Sequence, residues 1–113
     1  MSALISQYQN SKPSVINMSK KISIIGGRGF TGQELIKLIE SHPEFELAQA
    51  FSSSVAGEEI MIDERKLKKT YASLNENTEF IEEDAFILAL PNNKAAKWAD
   101  KISKQNSQAI ILD

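Results

Sequence analysis

A chain of 113 residues, 42% of them hydrophobic, has room for one modest core and is too short for two ordinary domains. Thirteen basic residues against fifteen acidic ones, interleaved rather than clustered, leave no basic surplus for a phosphate backbone, which argues against nucleic acid as a partner. The absence of cysteine excludes disulfides, thiolate metal sites and a thiol nucleophile from these residues, and the longest apolar runs fall far short of the roughly 20 residues that cross a bilayer.

The opening stretch, residues 1–19, is rich in Ser, Asn and Gln and lacks the apolar core of a secretory signal, so it reads as a flexible leader. Its single lysine and lack of arginine favour a cytoplasmic protein, with a mitochondrial one as the alternative, and Met18 would serve equally as a start. The rest, residues 20–113, reads as one domain. Lys21-Ile22-Ser23-Ile24-Ile25 is a β-branched run ending in glycine, the pattern of a buried strand that enters a tight turn. From Phe30 the apolar residues Leu35, Ile36, Leu38 and Ile39 follow helical spacing until His42-Pro43 stops the helix. Phe45 to Phe51 is a second strand closed by Ser52-Ser53-Ser54, which completes a β-α-β unit of about thirty residues.

Between Gly57 and Asn77 the pattern weakens, and the spacing predicts only a short helix over Glu64 to Lys69. Thr78 to Ile81 is expected to form a short strand. Ala85 to Leu90, closed by Pro91, is another buried strand. Ala95, Trp98, Ala99 and Ile102 recur at i, i+3, i+4 and i+7 on a helix from Asn93 to Lys104, and Ala109 to Leu112 begins a further strand. Strands alternating with helices predict an α/β fold, a Rossmann-like parallel sheet with flanking helices, incomplete as the N-terminal portion of a doubly wound domain. A ligand should then sit beyond the strand ends at Gly26, Ser52, Pro91 and Asp113.

Gly26-Gly27-Arg28-Gly29-Phe30-Thr31-Gly32 is a G-x-x-G-x-x-G variant of the dinucleotide fingerprint, set between a strand and a helix as its mechanism requires. Gly26 permits the sharp turn, Gly29 lets the backbone approach a pyrophosphate, Gly32 lets helix and strand pack closely, and the helix start offers free N–H groups. Thr31 adds a hydroxyl. Where NAD-preferring sites place a carboxylate about twenty residues on, this chain has Ser52, Ser53 and Ser54, which with Arg28 favours a 2′-phosphate and hence NADP(H). The same serines read equally as a polar loop after a strand. His42 suits a helix C-terminus better than catalysis, and Trp98 suits the core. The acidic residues lack metal-ligand spacing, so no metal is expected.

At this turn a resemblance becomes specific. Ile24-Ile25-Gly26-Gly27-Arg28-Gly29-Phe30-Thr31-Gly32-Gln33-Glu34-Leu35, with Ser41-His42-Pro43 and Glu46-Leu47, resembles the start of the N-acetyl-γ-glutamyl-phosphate reductases. Phe51-Ser52-Ser53-Ser54 with Ala56-Gly57 is similar to that family's serine-rich loop, and Ala89-Leu90-Pro91-Asn92 to its Ala-Leu-Pro loop beside the nicotinamide. The resemblance implies an oxidoreductase of arginine biosynthesis that uses NADPH to reduce an acyl phosphate to an aldehyde through a cysteine thioester, with a histidine as acid and base. It further implies cofactor contacts at Gly26, Arg28, Gly29, Phe30, Thr31, Gly32, Ser52, Ser53, Leu90 and Pro91. The family's cysteine lies further along a longer chain, so these residues are expected to be a cofactor-binding portion that does not catalyse alone, with the acyl phosphate binding only where the C-terminal half is present. The full-length family allows a homo-oligomer. Two residues depart from the pattern: Gly27 replaces the usual alanine, and Asn93 replaces a common glycine. Aspartate-semialdehyde dehydrogenase shares the architecture but usually carries valine at the position of Thr31, and a non-catalytic NADP-binding module is the alternative outside the enzymes.

Overall fold

The computed structural model describes residues 19–113, so the expected leader lies outside the described residues save for Ser19. Chain order is β1 (Lys20–Ile25), α1 (Phe30–Ser41), β2 (Phe45–Ser52), β3 (Glu59–Ile62), β4 (Arg65–Thr70), β5 (Ala72–Ser73), β6 (Ala85–Leu88), α2 (Asn92–Gln105) and β7 (Ile110–Leu112). Five strands form one parallel sheet in the order β5-β2-β1-β6-β7, while β3 and β4 form a separate antiparallel hairpin. The expected α/β architecture is therefore the one observed.

Strand β1 lies at the centre of the sheet, and Ile24 and Ile25 are fully buried on opposite faces of it. Burial on both faces is why this segment is a continuous β-branched run rather than an alternating one. One face packs Ile22 and Ile24 against Ile36 and Ile39 of α1 and Ile60 and Ile62 of the hairpin. The other packs Ile25, Phe51, Phe86 and Leu88 against Trp98 and Ile102 of α2. Between Ile22 and Ser23 the β1–β2 register slips, so that Leu47 faces Ile22 and Gln49 faces Ser23. The extra residue, Ala48, is a bulge that turns both Leu47 and Ala50 into the α1-side core.

Three expectations need correction. The helix over Glu64 to Lys69 is absent: Arg65–Thr70 is strand β4. Asp63 and Glu64 form the hairpin turn with φ of 51° and 64°, and only Leu67 and Lys69 of the strand are even half-buried. The strand over Thr78 to Ile81 is also absent. Phe80 is fully buried in the α2-side cluster, but its backbone N–H donates to Gln105 Oε1 at 2.8 Å instead of to a neighbouring strand. On α1 the buried stripe is Gly32, Ile36 and Ile39, with Leu38 facing solvent at 65% exposure, because the helix is seated on the glycine turn. The other expected elements are present with small shifts of boundary, β6 stopping at Leu88.

Candidate functional site

The carboxyl ends of β1, β2 and β6 meet through backbone hydrogen bonds. The Gly26 and Gly27 amides both donate to the Phe51 carbonyl, at 2.9 and 3.3 Å, and the Ala89 amide donates to Ile25 at 2.8 Å. Three of the sequence blocks singled out above thus form one edge: the glycine turn, the serine loop after β2 and Ala89-Leu90-Pro91 after β6.

Three glycines of the turn have distinct reasons, while a Cβ on Gly27 would meet its neighbours only at ordinary contact distances. Gly26 sits at φ +89°, and a Cβ there would lie 2.6 Å from the Ala89 carbonyl oxygen and 2.7 Å from Leu90 Cδ2. A Cβ on Gly32 would lie 2.6 Å from Gly27 Cα, so α1 rests directly on the backbone of the turn. Gly29 faces open space, with nothing within 4 Å of the position a Cβ would take. It is also the N-cap of α1, whose first turn has no side-chain cap and no acidic residue. The first N–H groups of the helix and its positive dipole end therefore face an exposed, unoccluded approach, the arrangement that accepts an anionic pyrophosphate.

Beside this approach lies a cleft of about 530 Å³ lined by Arg28, Gly29, Gln33, Val55, Glu58 and Tyr71, with Glu59 and Met61 of the hairpin. Tyr71 is buried, and its hydroxyl donates to the Gly27 carbonyl at 3.4 Å. Desolvation, and then the charge of Glu58, raise its phenol above the ordinary tyrosine value, so it remains a protonated donor. The backbone reinforces the closure: the Tyr71 amide donates to Glu58, and the Gly57 amide donates to Tyr71. Sequence reasoning missed four wall residues: Tyr71, Val55 and Glu58 are brought to the turn by the hairpin and the loops on either side of it rather than by any motif, and Gln33 is an exposed position of α1 itself that no motif singles out.

The expected site residues divide by exposure. Arg28, Phe30 and Thr31 are exposed around the turn, Phe30 at 81%. Leu90 is half-buried against Gly26, and Pro91 caps α2, its carbonyl accepting from the Lys94 and Ala95 amides. Ser52 is buried, and its Oγ accepts from the Ser54 and Val55 amides at 3.3 and 3.2 Å, which makes it the brace of its loop. Ser53 and Ser54 are exposed. No hydrogen bond joins Arg28 to these serines among the described residues. His42 caps the C-terminus of α1 through its backbone amide, stacks on Phe45 at 4.1 Å and accepts the Glu44 amide on Nδ1. Trp98 packs edge-on against Phe80 in the core as expected. Among the described residues no group of three or more His, Cys, Asp and Glu side chains could hold a metal ion. No helix among them is long and apolar enough to cross a membrane.

Comparison with known proteins agrees with this geometry. The family model described as "Semialdehyde dehydrogenase, NAD binding domain" matches residues 21–113. An N-acetyl-gamma-glutamyl-phosphate reductase of Xanthomonas axonopodis pv. citri is 36% identical over 97 residues, which cover 83% of this chain and 31% of that relative. "Protein ARG5,6, mitochondrial" of Candida albicans is 35% identical over 100 residues, covering 83% of this chain and 12% of its own length. The aspartate semialdehyde dehydrogenase of Candida albicans, solved with NADP, superposes with a TM-score of 0.57 at 26% identity, over 77% of this chain and 26% of that one. The chain thus spans less than a third of each of these proteins. A parallel sheet, a glycine turn seated under a helix start and a family match over residues 21–113 lead to one assignment: the chain belongs to the semialdehyde dehydrogenase NAD-binding domain family.

Proposed function

We infer that these residues are the NADP(H)-binding portion of an N-acetyl-γ-glutamyl-phosphate reductase, which reduces the acyl phosphate to N-acetylglutamate semialdehyde in arginine biosynthesis. The observation that carries this reading is the open N-terminus of α1 at Gly29, uncapped by any side chain, on a chain whose relatives at 36% identity carry that name. The residues present fit the cofactor: backbone approaches freely at Gly29, and Gly26 and Gly32 close the turn where a side chain would block it. Amides of the turn and of the first turn of α1 would hold the pyrophosphate, Arg28, Ser53 and Ser54 would hold the 2′-phosphate, and Leu90 and Pro91 would border the nicotinamide. Ser52 supports that loop from beneath. Bound NADPH supplies the hydride of the reduction. The thiol that forms the thioester comes from outside these 113 residues, which contain no cysteine.

The lack of a carboxylate at the end of β2 favours NADPH, whereas Glu58 and Glu59 in the neighbouring cleft would favour the 2′-hydroxyl of NADH if they reached it. Calorimetric titration of the chain with each cofactor decides between them: tighter NADPH binding is expected, and tighter NADH binding overturns the choice. Incubated with N-acetylglutamate semialdehyde, phosphate and NADP⁺, the chain alone should give no NADPH absorbance at 340 nm (roughly the nicotinamide band). Turnover by the chain alone would contradict the placement of the thiol elsewhere.

The superposition on an aspartate semialdehyde dehydrogenase favours a second reading, a reductase of that substrate. Thr31 in place of the usual valine, and the relatives' names, weigh for the first. A mitochondrial location is weighed beside a cytoplasmic one, since the Candida albicans relative is named as mitochondrial.

A further inference from the structure

The glycine turn is held from behind at two successive carbonyls. Tyr71 donates its hydroxyl to the Gly27 carbonyl at 3.4 Å, and Gln33 donates Nε2 to the Arg28 carbonyl at 3.0 Å. A trans peptide is planar, with its C=O and N–H pointing in opposite directions. Tethering the Gly27 carbonyl therefore aims the Arg28 N–H the other way, and tethering the Arg28 carbonyl does the same for the Gly29 N–H. Neither of these two amides has a hydrogen-bond partner among the described residues. Adjacent amides presented in this way form an anion-binding concavity.

We propose that Tyr71 and Gln33 are positioning residues that lock two consecutive peptide planes of the glycine turn, so that the Arg28 and Gly29 amides stand preorganised for the pyrophosphate. The proposal rests on the reading of the turn as a dinucleotide site. Neither side chain needs to touch the ligand. Glycines at positions 26, 27 and 29 leave the turn with much backbone freedom, and without the tethers that freedom would have to be lost on binding. Tyr71 suits its task because burial keeps its hydroxyl protonated and directed at the carbonyl. It also ties the site to the hairpin: Tyr71 follows β4 directly and is fastened to the β2–β3 loop through Glu58, so the hairpin that lines the neighbouring cleft also anchors the brace of the turn.

The test uses Tyr71→Phe and Gln33→Ala in the full chain, with NADPH, inorganic pyrophosphate and 2′-AMP as probes in calorimetry. Gln33 is exposed and alanine is a strong helix former, so that variant keeps its fold even if removal of the Tyr71 hydroxyl destabilises the core. Each substitution is expected to raise Kd for NADPH and for pyrophosphate about fivefold, roughly 1 kcal/mol, and to leave 2′-AMP within about twofold. A purely structural role would weaken all three ligands together, or none. In the unmodified chain, the Arg28 and Gly29 amide proton resonances should move downfield on adding pyrophosphate. Unchanged affinities in folded variants, equal losses for 2′-AMP, or stationary amide resonances in a pyrophosphate-bound sample would overturn the proposal while leaving the cofactor reading in place. Failure of the unmodified chain to bind either NADPH or pyrophosphate would overturn the cofactor reading and the proposal with it.

Discussion

Replacing Gly32 with alanine tests whether α1 is seated on the backbone of the turn. Alanine is ordinarily the better helix residue, by about 1 kcal/mol in a helix interior, so propensity alone argues for stabilisation. Here the new Cβ would stand 2.6, 2.7 and 2.8 Å from Cα, C and O of Gly27. All three are main-chain atoms of a turn already fixed to Phe51, so no side chain can rotate out of the way. Overpacking of this kind costs about 1–3 kcal/mol, and with backbone as the obstacle the upper end applies. The net loss is then about 2 kcal/mol, which in a domain of this size lowers Tm by about 8–16 °C. The paired control is Gly29→Ala, where φ is −72° and nothing lies within 4 Å. There the poorer N-cap costs about 1 kcal/mol and the less flexible unfolded chain returns about 0.4–1, leaving Tm within about 4 °C of the parent. Thermal melts followed by circular dichroism at 222 nm (roughly the helix band) check both variants. A Gly32→Ala protein as stable as the parent would refute the close seating of the helix.

Other substitutions read other parts of the structure. Ser23 is fully buried and donates to Glu83 Oε2 at 2.6 Å, so Ser23→Ala should cost about 1–3 kcal/mol in urea unfolding, and an unchanged midpoint would show that the carboxylate finds another donor. Glu64 sits in the hairpin turn at φ 64°, and Glu64→Gly should gain about 0.5 kcal/mol, relief of left-handed strain outweighing the added freedom of the unfolded chain; a loss of stability would contradict the turn geometry. The Glu76 carboxylate is held below the ordinary glutamate value by hydrogen bonds from Lys101 and then Lys97, with their charges adding to the effect. A carboxylate whose folded pKa is depressed contributes stability above the unfolded value of 4.5 and loses it as pH falls through the folded one. The stability advantage of the parent over Glu76→Gln should therefore shrink on acidification and also in high salt, because the group is fully exposed; an advantage constant with pH would exclude the ion pairs as its source.

The parts of this fold that could be read from sequence are those where one local signal coincides with burial. Strand β1 and its glycine turn declare themselves because a β-branched run buried on both faces leads into a turn where Gly26 and Gly32 leave no room for a side chain. Strand β4 does not, since Arg65, Lys66, Lys68 and Lys69 carry no alternation and Asp63-Glu64 lacks the Asn-Gly signature of a two-residue hairpin turn. Its strand character comes from pairing with Glu59–Ile62, whose Ile60 and Ile62 supply the burial. Phe80 misled in another way: an aromatic residue in a short apolar run signals burial, but burial here comes from packing against Phe51, Phe86 and Trp98, with no strand partner. At the site, Gly26 and Gly32 follow from sequence because each answers a steric demand, and Gly29 because it leaves the helix start open. The walls do not, because Tyr71 and Glu58 reach the turn only through the hairpin's return, and the inward turn of Ser52 becomes visible only once its loop is closed.

The claim on which the rest depends is that the open helix start at Gly29 receives the pyrophosphate of a dinucleotide. Gly29→Asp places a carboxylate in that approach, where it both fills the space and repels phosphate, while at the N-cap aspartate is a favourable residue that keeps the helix intact. Titration of NADPH into the parent chain and into Gly29→Asp, with apo Tm recorded for both, is the direct measurement. The expected result is saturable binding by the parent and none by the variant, at an apo Tm no lower than the parent's. Equal binding by the two folded proteins would show that the cofactor does not sit at the glycine turn, and would contradict the account at its base.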